Sequence, residues 1–236
     1  MISTGEKPAM SASKTAGVYT ELREDLLNGV YQPGSKLMID ALATRFRVSP
    51  SAVREALSRL TSERLVVAMP QKGFTVATVS QEDLDDLTQV RIEIETRCLR
   101  RSIELGDIEW EAALLASWHR LCHAGASPLG RAHPDWERLH AQFHDDLVAA
   151  CDSPWWLRLR HELYIQAERY RRMVRSEADT KRDIEAEHRA ILDRTMARDA
   201  DGAVAALSRH LSQTADHVRR TGLTELLARA DRADAI

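Results

Sequence analysis

Residues 48–60 contain the feature that most constrains how this chain can fold. Ser49 is a favoured helix N-cap, and Pro50 suits the first helical position, where its missing N–H costs nothing. Apolar residues then recur at helical spacing and predict a core-facing stripe: Val53, Ala56, Leu57 and Leu60. Arg54 lies off this stripe. An exposed arginine near the start of a helix can pair with guanine in the major groove of DNA.

The preceding residues predict two further helices. Residues 18–27 have apolar side chains at helical spacing, and Asn28-Gly29 is a typical helix end. Asp40 is predicted to cap a short helix over residues 41–46, which a tight turn at 47–48 joins to the capped segment. This arrangement is typical of a helix-turn-helix.

Residues 66–77 predict a β-hairpin after these helices. Two short runs rich in apolar residues, 66–69 and 74–77, flank Pro-Gln-Lys-Gly at 70–73. Lys72 at the tip could reach a phosphate or the minor groove. The N-terminal part is therefore predicted to be a winged helix-turn-helix, with an ordinary small α+β domain as the alternative.

The pattern resembles the GntR family of bacterial transcription regulators. Residues 42–48 (Leu-Ala-Thr-Arg-Phe-Arg-Val) and 49–57 (Ser-Pro-Ser-Ala-Val-Arg-Glu-Ala-Leu) match two motifs of that family. The resemblance implies that Arg54 reads bases and that the wing also contacts DNA. The predicted DNA-binding residues are Arg45, Ser49, Ser51, Arg54, Arg59, Lys72 and Gly73.

The sequence departs from this family pattern at three places. Pro50 stands where many members have an arginine, which removes one DNA contact. Glu63-Arg64 replaces the Glu-Gly that ends the helix in many members. Asp40 stands where some members have an arginine, and an acidic side chain cannot pair with phosphate.

Length and composition predict a cytoplasmic protein with two domains and no membrane partner. None of the apolar runs in the 236 residues approaches the roughly 18 residues of a membrane span, and a signal-peptide core is not expected. The three cysteines form no Cys-x-x-Cys pair, so we expect buried, reduced thiols. Residues 1–78 carry a net charge of +3 and the remainder −6, as expected when one module binds DNA and the other does not.

From Ser80 onward the sequence predicts only helices. Helical periodicity covers six segments: 81–104, 108–124, 135–150, 154–174, 180–198 and 200–222. The predicted fold class is mainly α: an N-terminal winged helix-turn-helix followed by an all-helical bundle of six or seven helices. The predicted boundaries are a disordered arm at 1–16, a DNA-binding domain at 17–78, a linker at 79–81, a helical domain at 82–223 and a C-terminal tail at 224–236.

Four histidines of the helical part have spacings typical of metal ligands. His140 and His144 are four residues apart, so both side chains leave one helix face. His188 and His210 lie on two later helices, beside apolar residues. Each histidine taken singly is an ordinary core or surface residue. Three helices that together supply four imidazoles favour a metal ion.

This part of the chain resembles the FCD effector domain of the FadR-like subgroup of GntR regulators, which holds a divalent metal. Its ligands come from an Asp-x-x-x-His helix, a Glu-His-x-x-(Ile/Leu) helix and a histidine about 22 residues later. The resemblance therefore implies the ligands His140, His144, His188 and His210, with His140 in place of the aspartate. Four neutral imidazoles favour Zn²⁺, with Ni²⁺ as the next choice, over Mn²⁺ or Mg²⁺. They leave the ion's charge uncompensated, which predicts an anionic effector.

Arg91 is the predicted effector-binding residue. It matches an Arg-x-x-x-Glu of the family's first effector-domain helix, and by the resemblance it points into the metal cavity as a carboxylate clamp. An exposed pair with Glu95 is the alternative. Residues 149–156, together with Tyr164 and Arg169-Tyr170, resemble the glutarate-responsive, carbon-starvation-induced branch, which suggests a dicarboxylate.

The predicted function is a DNA-binding transcription regulator, a repressor that a small carboxylate releases or modulates at the metal site. We expect a homodimer on a palindromic double-stranded operator. Two alternatives stay open: a small metal-dependent hydrolase that carries a DNA-targeting module, and a regulator with a purely structural metal. The sequence lacks His-Glu-x-x-His, and Glu187 is expected on a different face from His188. We therefore expect no enzyme activity.

Overall fold

The protein is described from a computed structural model, which covers residues 9–127, 135–174 and 182–223, with side chains from Thr15 onward. The predicted tail at 224–236 and the first eight residues lie outside this range. The chain forms two compact units. Unit 1 comprises Met1–Asp85, Ile165–Ser176 and His217–Ile236, and unit 2 comprises Asp86–Tyr164 and Glu177–Asp216.

Unit 1 begins with helix α1 (Ala9–Leu27). This helix includes residues 9–16, which the sequence pattern assigned to a disordered arm. Thr15, near the end of that segment, is only 3% exposed. The helix ends at the predicted place, and Gly29 follows it with a positive φ of 70°.

Helices α2 (Ile39–Phe46) and α3 (Pro50–Ser62) form the predicted helix-turn-helix. The prediction that Asp40 caps α2 is wrong, because the helix begins at Ile39 and Asp40 lies in its first turn. Ser49 does cap α3, since its Oγ accepts a hydrogen bond from Ala52 N at 3.3 Å. Beyond α3 the backbone of Arg64 has a φ of 57°, the left-handed conformation that a glycine would adopt without strain.

Three short antiparallel strands complete the winged motif. Strands β1 (Lys36–Leu37), β2 (Val66–Met69) and β3 (Gly73–Val76) lie in the order β1-β3-β2. The hairpin pairs Val66 with Val76 and Met69 with Gly73. The sequence did not predict β1, which is too short to show any periodicity. The core of unit 1 lies between these strands and the three helices and includes Leu22, Leu26, Val53, Leu57, Leu60, Val66 and Val76.

The described residues that follow are mainly helical, as predicted. Helices α4 (Gln81–Leu105), α5 (Ile108–Gly125), α6 (Trp136–Leu147), α7 (Pro154–Met173), α8 (Ile184–Met196) and α9 (Ala200–Val218) follow in order. A 3₁₀ turn (Ala149–Cys151) precedes α7, and a π-helical turn (Arg219–Leu223) follows α9. The unit 2 core includes Leu99, Trp110, Leu114, Phe143, Leu147, Ile191 and Leu207. The predicted fold class is confirmed.

Short polar side chains determine where several of these helices begin. Ser80 Oγ accepts a hydrogen bond from Asp83 N at 3.0 Å at the start of α4. Asp107 and Asp183 accept equivalent bonds at the starts of α5 and α8. The breaks between helices therefore follow from local capping chemistry, which a sequence displays directly.

Unit 1 also contains the last turns of α7, which the predicted domain boundaries did not include. Ile165 belongs to its hydrophobic core, and the Arg169 guanidinium donates to the carbonyl of Ala77. The Tyr170 hydroxyl donates to Asp83 Oδ2 at 2.6 Å. These contacts join segments about 90 residues apart in sequence, so local patterns could not indicate them.

Two of the three cysteines are fully buried, as expected for reduced thiols. Cys98 and Cys151 are inaccessible, whereas Cys122 is half-buried. Burial, the neighbouring Cys151 and Glu95 raise the pKa of Cys98 to about 12, so its thiol stays protonated. Within residues 9–127, 135–174 and 182–223, no helix has the length and hydrophobicity that a membrane crossing requires.

Candidate metal centre and nucleic-acid interface

The four predicted histidine ligands come together inside unit 2. Helix α6 contributes His140 and His144, α8 contributes His188 and α9 contributes His210. All four side chains are buried, and one ligand atom from each lies within 4.8 Å of the others. His144 Nε2 is 3.2 Å from His140 Nε2 and 3.1 Å from His188 Nε2. These residues form a cluster that could hold a metal ion.

The chemistry of the cluster fits a bound cation. Nitrogen atoms bound to one ion at 2.0–2.1 Å lie roughly 2.9–3.4 Å apart, the spacing that His144 has with His140 and His188. A neutral imidazole has one N–H, so His144 Nε2 cannot make good hydrogen bonds to two equivalent nitrogens at once. His144 Nδ1 is also buried without a hydrogen-bond partner in the described chain. A cation at the convergence of these nitrogens would satisfy their lone pairs.

Aromatic packing holds the imidazoles in place. The Trp136 ring stacks on His140 at a centroid distance of 4.6 Å and an interplanar angle of 14°. Phe143, which is completely buried, meets His144 and His188 edge-on. Burial, followed by the charges of the neighbouring histidines and Arg91, lowers the pKa of His144 well below its usual value. His144 is therefore neutral at pH 7, the state that binds metals.

A carboxylate lies behind one of these histidines. Glu187 Oε2 is 2.8 Å from His210 Nδ1, and Arg182 Nε donates to Glu187 Oε1 at 2.7 Å. Burial alone would raise the pKa of Glu187, but hydrogen bonds from His210 and Arg182 outweigh it and hold the pKa at about 2. Burial lowers the pKa of His210, so His210 is the neutral donor in this pair. The sequence indicated that Glu187 faces away from His188 but not that it meets His210.

Arg91 lies in a buried ion-pair network of unit 2. Its Nε donates to Glu95 Oε1 at 2.6 Å, and Glu95 Oε2 is 3.4 Å from Arg160 Nε. Burial would raise the pKa of Glu95, but the charges of Arg91 and Arg160 prevail and lower it. The alternative of an exposed Arg91–Glu95 pair is wrong on one point, because the pair exists but its members are 9% and 1% exposed. The ring of Tyr164 lies 5.2 Å and 5.0 Å from the two guanidinium carbons.

Arg160 is a member of this network that the sequence did not indicate. It is 2% exposed, it also pairs with Asp145, and its Nη2 is buried without a hydrogen-bond partner among the described residues. Arg160 lies in the middle of α7, where arginine is an ordinary helix residue and no motif surrounds it. Its burial, which on α7 only Arg169 matches, appears only in the folded structure.

A cavity of about 210 Å³ lies beside His188 in unit 2. Its apolar lining residues include Trp118, Leu121, Trp136 and Ile184, and its charged lining residues are Arg182, Asp183 and Glu185. Because His188 belongs to the imidazole cluster and Trp136 stacks on His140, a small molecule in this space would be next to the cluster.

Helix α3 and its N-cap carry four of the seven predicted DNA-contact residues. Ser51, Arg54 and Arg59 are exposed on it, as contact with DNA requires. The Arg59 guanidinium lies over the ring of Tyr19, with its Cζ 4.0 Å from the centroid. The hydroxyl of Ser49 is exposed but accepts the capping hydrogen bond.

The other predicted DNA contacts lie outside α3. Lys72 is exposed at the hairpin turn, beside Gly73 with its positive φ of 91°. Arg45 is exposed on α2 but is 2.7 Å from Asp25 and donates to the hydroxyl of Tyr31 at 2.5 Å. Burial would lower the pKa of Arg45, but these two partners raise it. Arg45 would have to share or exchange these partners to bind a phosphate.

Two protein families match the two parts of this chain. The family described as bacterial regulatory proteins, gntR family, matches residues 14–76, and the FCD domain matches residues 86–213. This chain belongs to the GntR family and carries an FCD domain. It is a DNA-binding transcription regulator with an effector-binding domain, and not an enzyme.

Similar proteins agree with this assignment. The HTH-type transcriptional regulator BphR of Paraburkholderia xenovorans is 38% identical over 87% of this chain and 85% of its own length. The HTH-type transcriptional repressor GlaR of Escherichia coli is 33% identical over 82% of this chain and 90% of its own length. The structure of E. coli McbR/YncC has the same fold, with a TM-score of 0.71 at 21% identity over 93% of this chain and 99% of its own.

Proposed function

We propose that this regulator is a repressor whose DNA binding responds to a small carboxylate at a metal centre formed by His140, His144, His188 and His210. The cluster of four buried imidazoles is the observation that supports this proposal. The repressor role is supported by GlaR, which is named as a repressor and is similar over most of its length. We further propose that the regulator acts in the cytoplasm.

The balance of charge around the cluster favours an anionic effector. Three arginines and three carboxylates pair in its surroundings: Arg91, Arg160 and Arg182 with Glu95, Asp145 and Glu187. These groups cancel one another, and the four imidazoles are neutral as ligands. These three ion pairs would therefore leave the charge of a divalent ion uncompensated, and unbalanced charge is costly in a buried region. A dicarboxylate would bring the two negative charges that balance it.

The donor set favours Zn²⁺, with Ni²⁺ as the next choice. Imidazole nitrogen suits both ions, whereas Mg²⁺ and Mn²⁺ prefer carboxylate and carbonyl oxygen. A bound ion would supply a site for a carboxylate oxygen. Arg91 would hold the second oxygen or the second carboxylate, because its other nitrogens can donate while Nε stays paired with Glu95. The cavity beside His188 would receive the carbon skeleton.

For the DNA-binding part we propose a homodimer on a palindromic operator, with one helix α3 in each half-site. Arg54 would read a base edge, Ser51 and Arg59 would contact bases or backbone, and Lys72 in the wing would reach a phosphate. Exposed apolar side chains one turn apart on α7, Trp155 and Leu159, supply a surface that a second copy could cover.

The first experiment measures the metal content of the purified protein and then its thermal stability during titration with short dicarboxylates. We expect near-stoichiometric metal and a rise in melting temperature with one of the acids. At a ligand concentration 100-fold above Kd the stabilisation is about 2.7 kcal/mol. A folded protein with no metal, and with no affinity for added Zn²⁺ or Ni²⁺, would refute the metal centre.

Variants separate a sensory metal from a purely structural one. His144→Ala combined with His188→Ala should abolish metal binding. Chelation should remove the response to the acid while the helical content remains, whereas a purely structural metal would lose the helical fold on chelation. Arg91→Met should weaken the acid response without changing the metal content, and Arg97→Met, an exposed arginine on the same helix, is the matched control. An unchanged response in Arg91→Met would refute its role.

A further inference from the structure

Glu187 and His210 have the arrangement that a carboxylate and a metal-binding histidine have in many metal centres. Glu187 Oε2 lies 2.8 Å from His210 Nδ1. The set of four converging ligand atoms contains no atom of Glu187, so this carboxylate stands behind the ring and is not a fifth ligand. With its Nδ1–H donated to Glu187, the neutral His210 ring has its lone pair on Nε2.

We infer that Glu187 is a positioning residue that holds His210 in the tautomer and orientation needed for binding the metal. This inference rests on the proposed metal centre. A carboxylate that accepts the second N–H of a histidine ligand fixes the ring and makes the other nitrogen more basic. Two adjacent residues of α8 therefore have different roles: His188 is a member of the cluster, and Glu187 acts on the cluster through His210 of α9.

Arg182 in turn orients Glu187. Its Nε donates to Glu187 Oε1, and its Nη2 donates to the backbone carbonyl of His210 at 3.1 Å and to Thr214 Oγ1 at 2.9 Å. Arg182 thus donates to both oxygens of Glu187, and Oε2 also accepts from His210. Because Arg182 is anchored to α9 as well, it keeps the carboxylate beside the ring that it orients.

The test compares Glu187→Gln with Glu185→Gln by measuring the dissociation constant for Zn²⁺ through competition with a chromophoric chelator. Glu185 lies on the same helix in an exposed position, so its variant removes an equal charge without removing the contact to His210. We expect Glu187→Gln to weaken Zn²⁺ binding about 10- to 100-fold and Glu185→Gln to leave it within a factor of about two. The melting temperature of the metal-free protein checks that each variant is folded.

A second readout examines the ring directly. In wild-type protein, the ¹⁵N chemical shifts of His210 should show a protonated Nδ1, and this signature should weaken or invert in Glu187→Gln. Wild-type Zn²⁺ affinity together with an unchanged His210 tautomer in Glu187→Gln would overturn the inference while leaving the metal centre intact. Failure of the wild-type protein to bind Zn²⁺ would instead refute the proposed function itself, so the two failures can be told apart.

Discussion

The metal-free protein should lose stability between pH 7.5 and 5.0, because His144 is buried as a neutral imidazole. Burial, with the neighbouring histidines and Arg91, lowers the pKa of His144 well below 6.5 in the folded state. Unfolding returns the ring to water, where its pKa is about 6.5. Below that pH the unfolded chain binds a proton that the folded protein does not bind, so the free energy of unfolding falls as the pH falls.

The size of this effect follows from the linkage between proton binding and folding. One imidazole that stays neutral when folded costs about 1.4 kcal/mol per pH unit below the pKa of the unfolded chain. Integrated from pH 7.5 to 5.0, His144 alone accounts for about 2 kcal/mol. Glu95 and Glu187 have lowered pKa values in the folded state, so they stabilise the folded protein fully above about pH 4.5. This stabilisation is lost only as the pH falls towards the lowered pKa values. Their effect therefore lies outside this window.

The assay is urea unfolding at several pH values in the presence of a chelator, followed by tryptophan fluorescence. All five tryptophans lie between residues 110 and 156, within unit 2, so the signal reports the part of the chain that contains the cluster. His144→Phe keeps a ring of similar size. In this variant the decrease in the free energy of unfolding between pH 7.5 and 5.0 should be smaller than in wild-type protein by about 2 kcal/mol. His161→Gln, which changes an exposed histidine of α7, should keep it. Equal pH dependence in wild-type protein and His144→Phe would refute the reasoning.

Three further predictions concern unit 1. Arg54→Ala should lose about 1–3 kcal/mol of affinity for an operator that the wild-type protein has selected from random DNA. Arg209→Ala, which changes an exposed arginine of α9, should keep that affinity. If Arg54→Ala still discriminates against scrambled DNA as well as wild-type protein does in a fluorescence anisotropy assay, the role of Arg54 is contradicted. Leu57→Ala should lower the free energy of unfolding, measured in urea, by about 2–5 kcal/mol because Leu57 is fully buried. Ser58 is the exposed neighbour, and Ser58→Ala should change the free energy of unfolding by less than about 0.5 kcal/mol. Arg64→Gly should raise stability by about 0.5–1 kcal/mol because it relieves the left-handed backbone, and a loss in thermal unfolding would contradict that account.

The sequence predicted the features that arise from neighbouring residues. The Ser49-Pro50 start of α3 and the Ser80 cap of α4 are contacts between residues at most three apart, so they can be inferred without the fold. Helical periodicity predicted the six long helices for the same reason, since each stripe of apolar side chains repeats along one element. The spacing of His140 and His144 on one helix face is also a local fact.

Tertiary structure decided the partners of those residues. The burial of Arg91 and the pairing of Arg160 with Glu95 both depend on which helices pack around Glu95. Neither has a sequence signal beyond ordinary helix composition. The pairing of Glu187 with His210 joins α8 to α9, so it exists only once both helices are packed. Burial then sets the chemistry of these groups, because removal from water lowers the pKa values of His144 and His210 and makes Glu95 and Glu187 depend on arginine partners. Sequence spacing can indicate which residues lie on one helix face, but only the fold determines which faces meet and how far from water they lie.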